Sequence, residues 1–338
     1  MNLDSTIKVA VVGASGYAGL QLCRLVKKHP RLTLSGAFVS EHSLDLHKKV
    51  SDIDGSLKGI CDEELLPLSN PKDLWGNADA VFLATDHKVS HDVAGGLVEG
   101  KIAVFDLSGA FRIHDLNVFS KAYGFEHEYP DLIKSSVYAL CEYTDPEELK
   151  KTSLISLPGC YPTASQLALK PLVENNLLDL DYRPSINAVS GVSGAGRKAK
   201  LGNSFCEVSL NAYGVFSHRH QPEIEEHLGI KVIFTPHLGS FKRGIHATIT
   251  ARLKDGIGRD EVALAYKIYE HKPLVRVLDT LPHLSYVQYT PFCDIGYAIA
   301  DNYIIIVSCI DNLLKGAAAQ AMQALNLHYG MDETLSLL

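Results

Sequence analysis

Cys160 lies in Ser156-Leu157-Pro158-Gly159-Cys160-Tyr161-Pro162-Thr163. Proline suits the first turn of a helix, and Ala164, Leu167, Ala168 and Leu172 recur at helical spacing over residues 163–175. The spacing puts the thiol at or just before a helix N-terminus. There the helix dipole favours thiolate and activates the nucleophile. Gly159 removes a side chain that would block approach. Pro171 falls inside the same helix and predicts a bend. Six other cysteines are present. Cys23, on an apolar helix face, and Cys309, in a strand, read as small buried hydrophobes. Cys61, Cys141, Cys206 and Cys293 carry no pattern that separates a working thiol from packing.

A nucleophilic cysteine needs a proton handler near neutral pH, and histidine is the natural choice. Of 15 histidines, His29, His47, His227, His271 and His328 sit in polar or terminal contexts and read as surface residues. His218-Arg219-His220-Gln221-Pro222-Glu223-Ile224 differs, with two histidines in a loop before a helix begun by Pro222. It is either a proton-handling pair or a solvated capping loop. No third soft ligand joins His-x-His and Glu223 at a recognisable spacing, so no metal site is expected.

Two loops have the makings of anion sites. Ser190-Gly191-Val192-Ser193-Gly194-Ala195-Gly196-Arg197-Lys198 follows a strand and reads as a backbone anion nest or a flexible surface loop. Asp106-Leu107-Ser108-Gly109-Ala110-Phe111-Arg112 ends a strand, where α/β ligands tend to bind. Arg112 reads as a carboxylate or phosphate clamp, or as a surface arginine.

The elements that position these residues follow from periodicity. Residues 7–12 (IKVAVV) read as a strand buried on both faces. Gly13-x-x-Gly16-x-x-Gly19 comes next, then a helix with Leu20, Leu22, Cys23, Leu25 and Val26 on one face, stopped by Pro30. It reads as a dinucleotide-binding turn or as a glycine turn that only packs helix on sheet. The first glycine allows the tight bend, the second admits a pyrophosphate and the third lets helix pack on strand. Glu41, after Ser40 at the end of the second strand, leans towards a free ribose and NAD. His42, Lys48 and Lys49 nearby suit a 2′-phosphate, so the local residues leave the choice open.

Further strands are expected at 32–39, 78–84 and 102–106, alternating with helices. That is a parallel α/β sheet covered on both faces. After residue 155 the pattern changes. Candidates at 154–157, 185–189, 232–234, 246–253 and 303–310 include alternating runs such as ATITARL, which suit an antiparallel or mixed sheet. A last helix is expected over 313–322.

The 338 residues, 46% hydrophobic and 21% charged, suit two globular domains. With 32 Lys and Arg against 39 Asp and Glu, the net charge of −7 argues against nucleic acid as a partner. The longest apolar run, near 303–307, is far short of the ~20 residues that span a bilayer. The polar start at 1–6 carries no export signal. Seven widely spaced cysteines without a CxxC form neither a disulfide framework nor a zinc module. A reduced, cytoplasmic setting is expected.

Taken together, the stretches VVGASGYAGLQL, DLSGAFR, LPGCYPTASQLALKPL, SGVSGAGRK, YGVFSHRHQPEI, FTPHLGSFKRGI and DNLLKGAAAQA resemble the N-acetyl-γ-glutamyl-phosphate reductase family of arginine biosynthesis, in that family's order. The family's serine–arginine pair after the second strand is here Ser40-Glu41-His42, and its PEL is Cys141-Glu142-Tyr143. The resemblance implies a fold like that of semialdehyde and glyceraldehyde-3-phosphate dehydrogenases. A Rossmann NADP-binding domain (1–157 and 312–338) would carry an inserted α/β catalytic and oligomerisation domain (158–311) with a mixed, largely antiparallel sheet. It implies NADPH-dependent reduction of an acyl phosphate through a cysteine thioester, release of inorganic phosphate, and a homodimer or homotetramer.

The resemblance also implies residue roles. Cys160 is the nucleophile and His218 the acid/base. Arg112, Ser190, Arg197, His220 and Glu223 face the substrate. Gly13, Ser15, Gly16, Tyr17, Ala18, Gly19, Ser40 and Ala84 hold the cofactor. Ser193 and Gly194 line its nicotinamide end, and Asn312 touches the carboxamide. Residue types alone do not separate His218 from His220. Rival readings are a sister enzyme acting on aspartyl phosphate, a cysteine hydrolase and a non-catalytic nucleotide-sensing scaffold.

Overall fold

A computed structural model describes residues 6–204 and 206–338. Most of the polar start at 1–6 therefore lies outside the described residues. The chain divides into two compact units, Met1–Pro158 with Ala317–Leu338, and Gly159–Gly316.

The first unit is built on a seven-stranded sheet. Its strands are β1 (Ile7–Val12), β2 (Leu32–Val39), β3 (Leu65–Pro67), β4 (Ala80–Leu83), β5 (Ala103–Asp106), β6 (Val137–Tyr138) and β7 (Leu154–Ser156). They lie in the order β3-β2-β1-β4-β5-β7-β6, and every pairing is parallel. Parallel strands covered by helices on both faces read as nearly continuous apolar runs. Accordingly β4 and β5 are buried throughout, and Val12, Val81, Leu83, Val104 and Phe111 share one core.

The strand order reverses between β1 and β4, which is where open α/β sheets bind ligands. The glycine turn leaves β1 at that point. Gly13 has φ +84°, and a Cβ there would run into the carbonyl oxygen of Ala84. A Cβ on Gly19 would strike the Gly13 carbonyl. These are the tight bend and the close packing expected of the first and third glycines. The following helix, Tyr17–Lys28, buries Leu20, Leu22, Cys23, Leu25 and Val26 and ends on Lys27 and Lys28, which complement its negative end.

Two histidines expected at the surface are inside this unit. His29 is buried, its ring facing Asn326 Oδ1 at 3.1 Å and accepting the Arg31 N–H at 3.0 Å. His328 is partly buried, with Nδ1 2.6 Å from the Leu149 carbonyl. Burial pushes both pKa values down. Their partners lie far away in sequence, so a polar local context misleads.

The second unit holds β8 (Ser185–Gly191), β9 (Asn211–Ala212), β10 (Ile233–Gly239), β11 (Ile245–Arg252), β12 (Val275–Val277), β13 (Cys293–Ala300) and β14 (Tyr303–Ile310). The order is β12-β13-β14-β11-β8-β10-β9. β8 with β10 and β12 with β13 are parallel, and the other pairs are antiparallel. β11 alternates as ATITARL suggests, with Ala247, Ile249 and Ala251 buried between less buried neighbours.

The helix Cys160–Glu174 packs against β11 and β14. It runs through Pro171 as one helix without a break. Proline leaves the carbonyl four residues back without its usual donor. That carbonyl, of Leu167, accepts a hydrogen bond from the Tyr269 hydroxyl at 2.6 Å, and Tyr266 donates likewise to Ala168 at 2.6 Å.

The expected last helix over 313–322 is two pieces. A π-turn spans Leu314–Ala318 and an α-helix spans Ala319–His328. Asp311 causes the wide turn. Its carboxylate accepts the N–H groups of Leu313 and Leu314 at 2.9 and 3.0 Å, and its carbonyl accepts that of Gly316 at 2.9 Å. Among the described residues, no helix is long and apolar enough to cross a membrane.

Candidate active site

Cys160 is the first residue of its helix, after Gly159 as a glycine cap with no side chain. Both the N–H and the hydroxyl of Thr163 bond to the Gly159 carbonyl, at 2.8 and 3.0 Å, which closes the first turn. First-turn N–H groups have no partner within the helix. Pro162 has none to offer, so the donors beside the thiol are Cys160 and Tyr161.

The Gly159 N–H is directed elsewhere. It donates to Glu223 Oε1 at 2.8 Å, and Glu223 is fully buried. Cys23, Cys61, Cys141, Cys293 and Cys309 are buried, Cys206 is exposed, and Cys160 lies between. All seven are free thiols. Gly316 faces Cys160 from the π-turn, where a Cβ would come within 2.8 Å of the cysteine Cβ. A side chain at Gly316 would therefore crowd Cys160.

The helix His220–Leu228 brings His220 and Glu223 together one turn apart. The rings of His218 and His220 lie 4.8 Å apart. The His220 N–H donates to His218 Nδ1 at 3.1 Å. An Nδ1 that accepts carries no proton, so neutral His218 bears its hydrogen on Nε2. Burial and the adjacent Arg219 charge push the His218 pKa down to about 4.

Aromatic rings frame the pair. Tyr161 lies 5.8 and 5.9 Å from His218 and His220, Tyr213 lies 5.4 Å from His218, and Phe234 lies 5.5 Å from it. The Tyr161 hydroxyl donates to the His237 carbonyl at 3.0 Å and sits 3.3 Å from that of Tyr213. Burial pushes the Tyr161 pKa up, so the phenol stays protonated. Tyr161, Tyr213, Phe234 and Gly316 are additions to the residues named from sequence. Tyr161 adjoins Cys160 and Tyr213 heads YGVFSHRH, so both were within reach. Phe234 sits in an ordinary strand with nothing to mark it.

At the end of β8, Ser190 is buried and its hydroxyl bonds to the Gly191 carbonyl at 3.0 Å. Ser193 is buried on the 3-10 turn Val192–Ala195, Gly194 is exposed beside it, and Asn312 Nδ2 donates to Ser193 Oγ at 3.0 Å. Arg197 is exposed further along the same loop.

In the first unit, Arg112 is buried rather than a surface arginine. Its Nε donates to the Leu157 carbonyl at 2.7 Å and an Nη to that of Leu107 at 2.6 Å, tying together the segments after β5 and β7. Beside it, burial raises the Asp106 pKa, opposed by the hydrogen bonds of Ser108 and by the Arg112 charge. At the glycine turn, Gly16 caps the Tyr17–Lys28 helix with no side-chain cap. Ser15 and Ala18 flank that cap, half-buried, with Tyr17 38% exposed. Ala84 follows β4, its N–H on the Val12 carbonyl at 2.8 Å. After β2, exposed Ser40 accepts the His42 N–H, Glu41 accepts from the Ser69 hydroxyl, and Lys48 pairs with Asp45 at 3.1 Å.

Comparison with known proteins agrees with this layout. The family model described as semialdehyde dehydrogenase, NAD binding domain, matches residues 8–152, and that described as semialdehyde dehydrogenase, dimerisation domain, matches 160–312. The N-acetyl-gamma-glutamyl-phosphate reductase of Pasteurella multocida is 55% identical over 334 residues, 98% of this chain and 99% of that protein. That of Escherichia coli K12 is 54% identical over 334 residues, 98% of this chain and all of that protein (100%).

Among solved structures, aspartate semialdehyde dehydrogenase II of Vibrio cholerae, complexed with ASA, superposes with a TM-score of 0.72 at 14% identity. The match covers 97% of this chain and 99% of that one. Aspartate semialdehyde dehydrogenase of Candida albicans, with NADP, superposes at 0.69 and 16% identity, covering 96% and 100%. At such identities these structures speak for the fold alone. Sequence identity above one half along nearly the whole chain goes further, and the chain belongs to the N-acetyl-γ-glutamyl-phosphate reductase family of the semialdehyde dehydrogenases.

Proposed function

We propose that this chain reduces N-acetyl-γ-glutamyl phosphate to N-acetyl-L-glutamate 5-semialdehyde with NADPH and releases phosphate, a step of arginine biosynthesis. The observation that carries the reading is the partly buried Cys160 at a helix start whose cap N–H is held by buried Glu223. The residues at the glycine turn fit a dinucleotide. Gly13 leaves no room for a Cβ, and the helix that follows has no side-chain cap, so its first N–H groups are left for a pyrophosphate. Gly13, Ser15, Gly16, Tyr17, Ala18 and Gly19 would hold it, with Ser40 and Ala84 beside them. Ser193, Gly194 and Asn312 would serve the nicotinamide end. NADP is preferred over NAD on family grounds, and Glu41 is engaged with Ser69.

In the mechanism, His220 takes the Cys160 proton. The thiolate attacks the acyl carbon, a C–S bond forms, and the C–O bond to phosphate breaks with its electron pair leaving on phosphate. The N–H groups of Cys160 and Tyr161 stabilise the oxyanion charge. When bound, NADPH supplies the hydride that takes the thioester to a thiohemiacetal. His218, neutral with its hydrogen on Nε2, hydrogen-bonds the developing oxyanion, and His220 returns its proton there. Collapse breaks the C–S bond, frees the aldehyde, restores the thiolate and gives the hydroxyl proton back to His220. Glu223 is the acceptor that fixes Gly159, and through it the cysteine. Ser190, Arg112 and Arg197 are assigned to the anionic groups of the substrate. His220 thereby takes the acid/base role that the family pattern gives to His218, because His218 Nδ1 already accepts a hydrogen bond.

A homodimer or homotetramer is in keeping with the dimerisation description of the second family model and with symmetric closure as the usual oligomer form. Seven free thiols suit a reducing cytoplasm. The test is steady-state oxidation of N-acetylglutamate semialdehyde with NADP and with NAD, with and without phosphate. NADP- and phosphate-dependent turnover that Cys160→Ser abolishes is expected. Turnover without phosphate, or a Cys160→Ser variant at the wild-type rate, overturns the reading.

A further inference from the structure

Arg243 sits in the turn between β10 and β11 and is buried. Its Nε donates to Asp311 Oδ2 at 2.6 Å, in an ion pair whose carboxylate is fully buried. The same oxygen accepts the Tyr289 N–H at 2.6 Å, and the Tyr289 ring lies 4.7 Å from the guanidinium carbon. Gln288 Nε2 donates to the Arg243 carbonyl at 2.6 Å. In a buried charge pair, loss of either partner strands the other.

The neighbours of the pair belong to the proposed site. Gly244, next to Arg243, donates its N–H to Asn312 Oδ1 at 2.6 Å, and Asn312 follows Asp311. With Oδ1 so occupied, Asn312 Nδ2 faces Ser193 Oγ at 3.0 Å. The turn also holds the 190–194 loop. The Lys242 carbonyl accepts the Ser193 N–H at 3.1 Å, the Phe241 carbonyl that of Val192 at 2.9 Å, and the Gly244 carbonyl that of Gly191 at 2.9 Å.

We infer that Arg243 and Asp311 are positioning residues, an ion pair that sets the amide orientation of Asn312 and the place of Ser193. The pair locks the backbone of 243–244 to that of 311–312. The lock leaves a hydrogen of Asn312 Nδ2 for a carbonyl acceptor such as the carboxamide of the nicotinamide. The inference rests on the role given to Asn312 in the proposed function. Neither Arg243 nor Asp311 touches reacting atoms. Their effect passes through Asn312 and Ser193.

The experiment is a double-mutant cycle of Arg243→Lys and Asn312→Ala. NADP binding is read by calorimetry, and hydride transfer by the isotope effect with NADPH deuterated at the transferred position. Lysine keeps a cation for Asp311 but loses the planar fork. Each single variant is expected to weaken NADP binding by about three- to tenfold, the worth of one hydrogen bond, and to raise the isotope effect. The double variant is expected to be no worse than Asn312→Ala, since residues that act through one another are not additive.

Tyr289→Gly is the second arm. It removes only the exposed ring over the guanidinium, at a residue with φ +64°, and is expected to act the same way but less. Arg276→Lys makes the same change in a half-exposed pair, with Asp294 at 2.6 Å near the far edge of the sheet, and is expected to change neither readout. Wild-type values for Arg243→Lys and Tyr289→Gly, or additive losses in the double variant, overturn the positioning role while Asn312 stands. Wild-type values for Asn312→Ala overturn the assignment of Asn312 and the inference with it.

Discussion

The two histidines of HRH can be told apart by pH. His218 is pushed to about 4 by burial and by Arg219, and its Nδ1 accepts the His220 N–H at 3.1 Å. Lowering His218 from about 6.5 to about 4 makes proton transfer to it harder by roughly 2.5 pH units, or ~3.4 kcal/mol, than to a model imidazole. The difference of ~3.4 kcal/mol is a factor of ~300 in rate if it falls on the transition state.

Protonating His218 at Nδ1 would also break its bond to the His220 N–H. His220→Asn is therefore expected to lower kcat/KM by about 10²- to 10⁴-fold and to remove the acid/base limb of the pH profile. In His218→Asn the amide oxygen can replace Nδ1 as acceptor. That variant is expected to lose no more than about tenfold and to keep the limb. The assay is kcat/KM for semialdehyde oxidation from pH 5 to 9, with NADP and phosphate saturating. If His218→Asn loses the limb and His220→Asn keeps it, the roles are reversed and the reasoning from tautomer and burial is wrong.

Three further outcomes follow from the same contacts. A methyl group at Gly316 would stand 2.8 Å from the Cys160 Cβ, so Gly316→Ala should cost about 10²-fold in kcat by misplacing the thiol. NADP binding by calorimetry should not change, and full activity would refute the contact. Tyr269→Phe should destabilise by about 1–3 kcal/mol by removing the donor to the Leu167 carbonyl. In a Pro171→Ala background, where a peptide N–H can serve that carbonyl, the loss should shrink, and an equal loss by urea unfolding in both backgrounds would sink the explanation. His218 and His127 are both lowered to about 4 from an unfolded value near 6.5, so the unfolded chain binds their protons first. Stability should rise with pH between about 4 and 6.5 and be flat above that window, and His127→Phe should reduce the slope. A melting temperature insensitive to pH in that range would contradict the burial of both rings.

Much of this protein was legible along the chain. IKVAVV followed by spaced glycines announced the first strand, the turn and the helix, because those steps depend on local sterics. PGCYPT announced a thiol at a helix start for the same reason: proline and glycine act on their own backbone. Where the local signal misled, a distant partner was responsible. The helix continues through Pro171, and the group that serves the carbonyl proline abandons is Tyr269, which no local signal names. His29 and His328 look like surface residues until Asn326 and the Leu149 carbonyl close on them.

The sequence by itself determined the two kinds of sheet, the order of the elements and the place of Cys160 at a helix start, since periodicity and helix-start chemistry are local properties. Only the tertiary structure decided how the residue before Cys160 is held and which ring nitrogen of His218 accepts a hydrogen bond. Glu223 lies 63 residues from Cys160 and binds the residue before it, and a tautomer depends on what one ring nitrogen faces. The tertiary structure likewise drew Arg243 and Asp311, 68 residues apart, into one buried pair. Such contacts arise when packing excludes water and each buried polar group must find a partner, and linear spacing carries no record of which partner that is.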